Sequence, residues 1–332
     1  KIPYRYFRGI SILMIPVILV LLAYTIFQPS ISDSITNSNR WIRIPIVGFG
    51  FQPSTLASII ILIYVARYLS KIKDKLITFS QSILPLWIPV FLTISLILPA
   101  NFSTSAILFS MVMLLCFLGG YPLKYLMGIL FSAVILFSIF ILSVKAYPDL
   151  FPNRVDTWKS RVENFVDSKE TKSNYQIEKA KIAIATGGIT GLGPGKSVQK
   201  NFLPQSSSDF IYAIIVEEYG LLGGGGLIIL YLLLLYRIVV ISYKTINIFG
   251  KLTVIGLGIP IISQAFINIG VALQVLPVTG QNLPMISSGG TSAWMTCISM
   301  GIILSISTKK ETEKKETHLG ENNPLRVLSE TY

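Results

Sequence analysis

LTVIGLGIPIISQAFINIGVALQVLPVTGQNLPMISSGGTSAWMTCISMGIILSIST, running from Leu252 to Thr308, contains no charged side chain. About 20 helical residues cross the roughly 30 Å of a bilayer's hydrocarbon, so this run is too long for a single crossing. Its middle reads Leu276-Pro277-Val278-Thr279-Gly280-Gln281-Asn282-Leu283-Pro284, a composition that favours a turn. The stretch therefore predicts two membrane spans joined by a polar turn. Leu76 to Leu123 repeats the pattern, with a break at Pro99-Ala100-Asn101-Phe102-Ser103-Thr104. Single spans are predicted in Gly9 to Ser32, within Pro45 to Ala66, in Tyr125 to Val144 and from about Tyr219 to Tyr236. The fold class that follows is an all-α polytopic membrane protein with about eight transmembrane helices.

Composition agrees. The chain is 52% hydrophobic and 13% charged, about half the charged fraction of a soluble protein. A net charge of +12 would suggest nucleic acid only as a surface stripe, and no nucleic-acid partner is expected. The basic residues sit instead in short loops between spans: Lys1 to Arg8, Arg67 to Lys75, Lys124 and Arg237 to Lys251. Together with the charged tail after Thr308 these fall on one side, which the positive-inside rule makes cytoplasmic. Both cysteines, Cys116 and Cys297, lie in apolar runs, so no disulfide framework is implied. The single histidine, His318, lies in the tail, away from the membrane body. The chain starts at Lys1 and enters a span almost at once, so further residues are expected upstream.

The opposite, outer side gathers the unusual polar chemistry. One large loop, residues 145–209, closes with GGITGLGPGKSVQKNFLPQSSSDFIYAIIVEEYG, Gly187 to Gly220. Asn174 to Thr186 predicts a short helix, capped by Ser173 or Asn174 and apolar along Ile177, Ala180 and Ile184. The glycines that follow let backbone amides approach a ligand. Thr190 to Ser197 ends like a phosphate-binding loop in Gly195-Lys196-Ser197, but it lacks the first glycine and a preceding strand, so a nucleotide site is rejected. Anion binding by glycine amides with Lys196 and Lys200 remains open. Asp209 stands at the mouth of a span, where a carboxylate is costly and marks a functional site by default; helix capping is the competing explanation. Glu217 and Glu218 follow at span depth, either shaping the site or paired with a base. Arg40-Trp41 could equally be an interfacial anchor.

These residues carry a resemblance. Arg40-Trp41-Ile42, Gln52-Pro53-Ser54, Tyr175-Gln176, Gly187-Gly188, Leu203-Pro204, Asp209-Phe210-Ile211, Glu217-Glu218, Gly220, Leu276-Pro277-Val278-Thr279-Gly280, Leu283-Pro284 and Ser287 to Gly290 stand in the order and spacing of one family's signatures. The chain resembles the FtsW/RodA (SEDS) family of bacterial cell-wall polymerases. Ser197-Val198-Gln199-Lys200 is closer to that family's division branch than to its elongation branch. The family has ten spans, so the first two are expected to be absent here. Residues 1–309 then form one transmembrane glycosyltransferase domain, and 310–332 a polar cytoplasmic tail. Three departures stand out. Thr55 and Ser58 replace an acid and a base of the family's pattern, and Asn101 replaces another acid.

The resemblance implies a peptidoglycan glycosyltransferase in the bacterial inner membrane, working on its outer face. The substrates implied are lipid II and an undecaprenyl-linked glycan. The partners implied are a class B penicillin-binding protein and other divisome membrane proteins. Asp209 is then the expected catalytic base. Arg40, Lys196, Gln199, Lys200, Glu217, Glu218, Thr279, Ser287 and Ser288 are the expected substrate-binding residues. No cofactor is assigned, and a divalent cation is left open. The alternatives are a lipid II transporter and a non-catalytic divisome scaffold.

Overall fold

The structure is a computed structural model, and it describes residues 4–28, 41–44, 49–73, 78–146, 172–203 and 206–321. Nine helices organise these residues. They are α1 (Phe7–Phe27), α2 (Pro53–Ile72), α3 (Phe79–Ile97), α4 (Phe102–Leu118), α5 (Leu123–Ala146), α6 (Lys172–Gly187), α7 (Ile211–Lys244), α8 (Ile248–Ala272) and α9 (Gly290–Glu321). Seven of the apolar helices are long enough to cross a membrane, and α4 is a shorter apolar helix beside them. The protein is a multi-pass membrane protein.

α8 forms the centre. It is the most buried of the long apolar helices and packs on α7, α2, α9 and α4. Glycines let its neighbours close in: a Cβ at Gly258 would lie 2.5 Å from Ile238 of α7, the small-residue contact by which helices associate where lipid supplies no hydrophobic drive. α5 stands at the other extreme. Phe131, Leu136 and Leu142 face outward, as a lipid-facing surface requires. α3 is not uniform. Pro85 lacks an N–H, and the helix widens into a π turn at Ile83–Trp87. The Tyr64 hydroxyl donates to the Pro85 carbonyl there.

Several boundaries differ from the sequence expectation. The second span, expected within Pro45 to Ala66, starts at Pro53 because Phe49–Phe51 before it pairs antiparallel with Ile42–Ile44. Proline at the first helical position then suits a helix start. α2 also continues beyond Ala66 to Ile72, carrying Arg67 and Lys71 within its last turns. The span expected from Tyr219 begins at Ile211, and α7 is broken at Gly220 (φ 68°, ψ −171°). The outer-loop helix is present but begins at Lys172, so Ser173 and Asn174 lie inside its first turn. α9 runs past Thr308 to Glu321, so the first part of the expected polar tail is helical; its Glu and Lys residues are good helix formers. Residues 322–332 and 147–171 lie outside the described residues.

Candidate active site

The break in α7 is the anchor of the outer segment. The N–H groups of Leu192 and Gly193 donate to the carbonyls of Glu217 and Glu218 at 3.0 and 2.9 Å. In return, the N–H groups of Leu221 and Leu222 donate to Gly188 and Ile189 at 2.9 and 3.2 Å. The two backbones are so close that a Cβ at Gly191 would sit 2.2 Å from the Glu218 carbonyl oxygen, and one at Gly220 would sit 2.2 Å from that of Ile189. Gly191 and Gly220 therefore admit protein backbone. The amides of Gly191, Leu192, Gly193 and Lys196 are all spent within the chain.

Glu217 completes the lock. It is 1% exposed and pairs with no arginine or lysine among the described residues. Its carboxylate accepts from the Ser197 hydroxyl and from the N–H groups of Val198 and Gln199 at 3.1 and 3.3 Å. A buried carboxylate needs such donors. Its role is to hold the turn Gln199–Asn201 against α7. Glu218 is half-buried and uses its carbonyl in the same docking.

Beside this segment lies a cavity of about 500 Å³. Trp41, Gln52, Thr55, Ser58, Asn101, Thr104, Ser208, Asp209, Gln264, Gln281, Asn282, Ser288, Ser292, Thr296 and Ser299 give it a wall of amides, hydroxyls and one indole, with Ile59, Leu62, Leu257, Pro260, Ile261 and Met295 as its apolar part. Asp209 is the only titratable side chain among its described lining residues. All three departures from the family pattern, Thr55, Ser58 and Asn101, lie on this wall. Thr55 and Ser58 turn their hydroxyls to the carbonyls of Gln52 and Ser54, at 2.7 and 2.9 Å. Asn101 caps α4 through the Thr104 N–H, at 3.3 Å.

The expected site residues thus separate. Asp209 and Ser288 line the cavity. Ser287 does not; its hydroxyl donates to the Ser208 carbonyl at 2.6 Å and accepts from the Leu283 N–H at 2.7 Å. Thr279 does not line the cavity, and its hydroxyl oxygen is buried and unpaired among the described residues. Lys196 and Lys200 are exposed on the outer segment, and Gln199 is half-buried there; none of the three lines the cavity. Arg40 lies outside the described residues. Asp209 stands one position before Phe210, the N-cap residue of α7. Gln264, Gln281 and Asn282 went unread in the sequence. A lone amide in an apolar run carries no periodic signal, although Gln264 and Asn268 do share a face at i, i+4. Among the described residues no three or more of His, Cys, Asp and Glu converge, so a cation in the cavity would meet Asp209 as its single carboxylate.

Residues 1–312 match the cell cycle protein family FtsW/RodA/SpoVE. A relative from Xanthomonas oryzae pv. oryzae named probable peptidoglycan glycosyltransferase FtsW is 32% identical over 301 residues, covering 89% of this chain and 60% of the relative. One from Marinomonas mediterranea with the same name is 33% identical, covering 92% of this chain and 73% of the relative. The chain thus spans less than two thirds of the first of these proteins. Among solved structures, a chain from work titled "Structural coordination of polymerization and crosslinking by a peptidoglycan synthase complex" has a TM-score of 0.72 at 23% identity, covering 93% of this chain and 84% of that one. Thermus thermophilus RodA, a rod shape determining protein, has a TM-score of 0.64 at 21% identity, covering 93% and 81%. With the signatures in order, the match nearly end to end and the fold shared, the chain belongs to the FtsW/RodA/SpoVE family of cell cycle proteins.

Proposed function

We propose that this protein is a peptidoglycan glycosyltransferase that polymerises lipid II during septal wall synthesis. One observation carries the reading: Asp209 is the sole titratable group among the described lining residues of a cavity whose polar wall is amides, hydroxyls and a tryptophan. Such a wall suits a neutral sugar, and the lone carboxylate suits proton abstraction from a hydroxyl. The acceptor's GlcNAc 4-hydroxyl attacks the anomeric carbon of the donor's MurNAc and gives its proton to Asp209. The bond from that carbon to the diphosphate breaks, configuration inverts, and undecaprenyl diphosphate departs. Ser288 lines the sugar site. Glu217, Glu218 and Ser287 support it by holding the outer segment and the chain before Asp209. The test is glycan polymerisation from lipid II by the purified protein, alone and with a class B penicillin-binding protein as its partner. Absence of glycan product under both conditions, in folded protein, would overturn the proposal.

Charge for the diphosphate comes from Arg40, Lys196 and Lys200. Lys200→Ala should lower kcat/KM for lipid II by about tenfold through one lost charge-assisted contact, with thermal stability unchanged. Unaltered kinetics across lipid II concentrations would remove Lys200 from the site.

The active face is the outer face of the inner membrane. A cysteine at Ser168 should react with an impermeant thiol reagent in intact cells, and one at Lys73 should not. The reverse pattern would invert the topology.

A further inference from the structure

Asp209 belongs to no helix. It lies in the turn before α7, so its position depends on what grips its backbone. Three successive carbonyls are gripped from across the site. Ser207 accepts from the Ser288 N–H at 2.8 Å, Ser208 from the Ser287 hydroxyl at 2.6 Å, and Asp209 from the Asn268 side-chain amide at 2.9 Å. Asn268 is the interior member of this set. It stands on α8, 1% exposed, and its second N–H donates to the Gln281 carbonyl at 2.8 Å. Both partners are carbonyl oxygens, which only accept, so the amide nitrogen must face them. Gln281 is itself part of the cavity wall and reaches α4 by donating to the Thr104 hydroxyl at 3.3 Å. A Cβ at neighbouring Gly280 would come 3.6 Å from Asp209 Oδ2, so this same strip of wall abuts the carboxylate.

We propose that Asn268 is a positioning residue for the polymerisation reaction: its one amide group joins the backbone of Asp209 to the Gln281 wall and thereby sets where the carboxylate meets the acceptor hydroxyl. The proposal rests on the reading of Asp209 as general base. Asn268 does not line the cavity, so it acts through Asp209 and not on the sugar.

Asn268→Leu keeps the volume and removes both donors. Measured on the purified protein with lipid II, kcat should fall about 10- to 100-fold, the cost of a small misplacement of a reacting group, while KM stays within about twofold. Asn268→Ser, which retains one donor, should fall between. The decisive measurement is the Asn268→Leu/Asp209→Asn double variant. Groups acting as one unit are not additive, so the double variant should be no slower than Asp209→Asn alone. A role in stability alone would lower activity by the same factor in both backgrounds. Unchanged kcat, a loss confined to KM, or a multiplicative double variant would each overturn the proposal. If the leucine variant fails to accumulate in membranes, the serine variant is judged by the same split and the same double variant. Wild-type protein without polymerase activity would instead remove the function reading itself.

Discussion

Asp209→Asn protein should fold and melt like the wild type yet polymerise lipid II about 100-fold more slowly, or worse. The two results separate because asparagine caps a helix about as well as aspartate but cannot act as a general base. Phe210 is the N-cap of α7, so Asp209 stands one position outside the helix. Its backbone carbonyl holds to Asn268, a contact that any side chain preserves. Asparagine fills the same volume but cannot take a proton from a sugar hydroxyl, and a positioned general base typically contributes 10²- to 10⁴-fold. Asp209→Glu keeps the carboxylate and displaces it by one methylene, so it should retain part of the activity. Initial rates of glycan formation and thermal unfolding in detergent check the pair. Full activity in Asp209→Asn would end the catalytic assignment and favour transport or scaffolding.

Gly220→Ala should have the largest effect on stability. Gly220 has φ 68° and ψ −171°, a region almost reserved for glycine, where another residue costs about 1–3 kcal/mol in strain alone. The new Cβ would also stand 2.2 Å from the Ile189 carbonyl oxygen, so the outer segment must move away. Undocking breaks the four hydrogen bonds that tie residues 188–193 to the broken helix and exposes the buried Glu217 carboxylate to the loss of its donors. The expected destabilisation is about 3 kcal/mol or more, with polymerase activity lost. Gly225→Ala is the matched control. Its Cβ meets nothing within 4 Å, and alanine in a helix is better than glycine by up to about 1 kcal/mol. Thermal unfolding of both variants, with proteolysis of the outer segment, checks the contrast. A Gly220→Ala protein as stable as the control would show that the interlock does not hold the segment.

The membrane class, the approximate spans, the outer-loop helix and the place of Asp209 at the mouth of a span were legible along the chain. Each depends on local quantities: the length of an apolar run, the charge of a short loop, the cost of a carboxylate beside lipid. Where helices begin and end was less legible. Pro53 starts α2 because residues 49–51 pair with 42–44, and α7 starts at Ile211 and breaks at Gly220 because another backbone fits into the break. The same crossing decided what the glycines after Gly187 are for. In sequence they read as a ligand-binding loop, since a bare backbone can approach anything; only the tertiary fold supplies Glu217 and Glu218 as what it approaches. Glu217 likewise looked like a site acid and is a buried brace, because its donors come from residues about 20 positions earlier. The cavity wall was hidden for a related reason. Thr55, Ser58, Asn101, Gln264 and Gln281 come from four separate segments. Each is an ordinary polar residue in its own stretch, and they acquire a common meaning only when α2, α4, α8 and the turn after α8 enclose one space around Asp209.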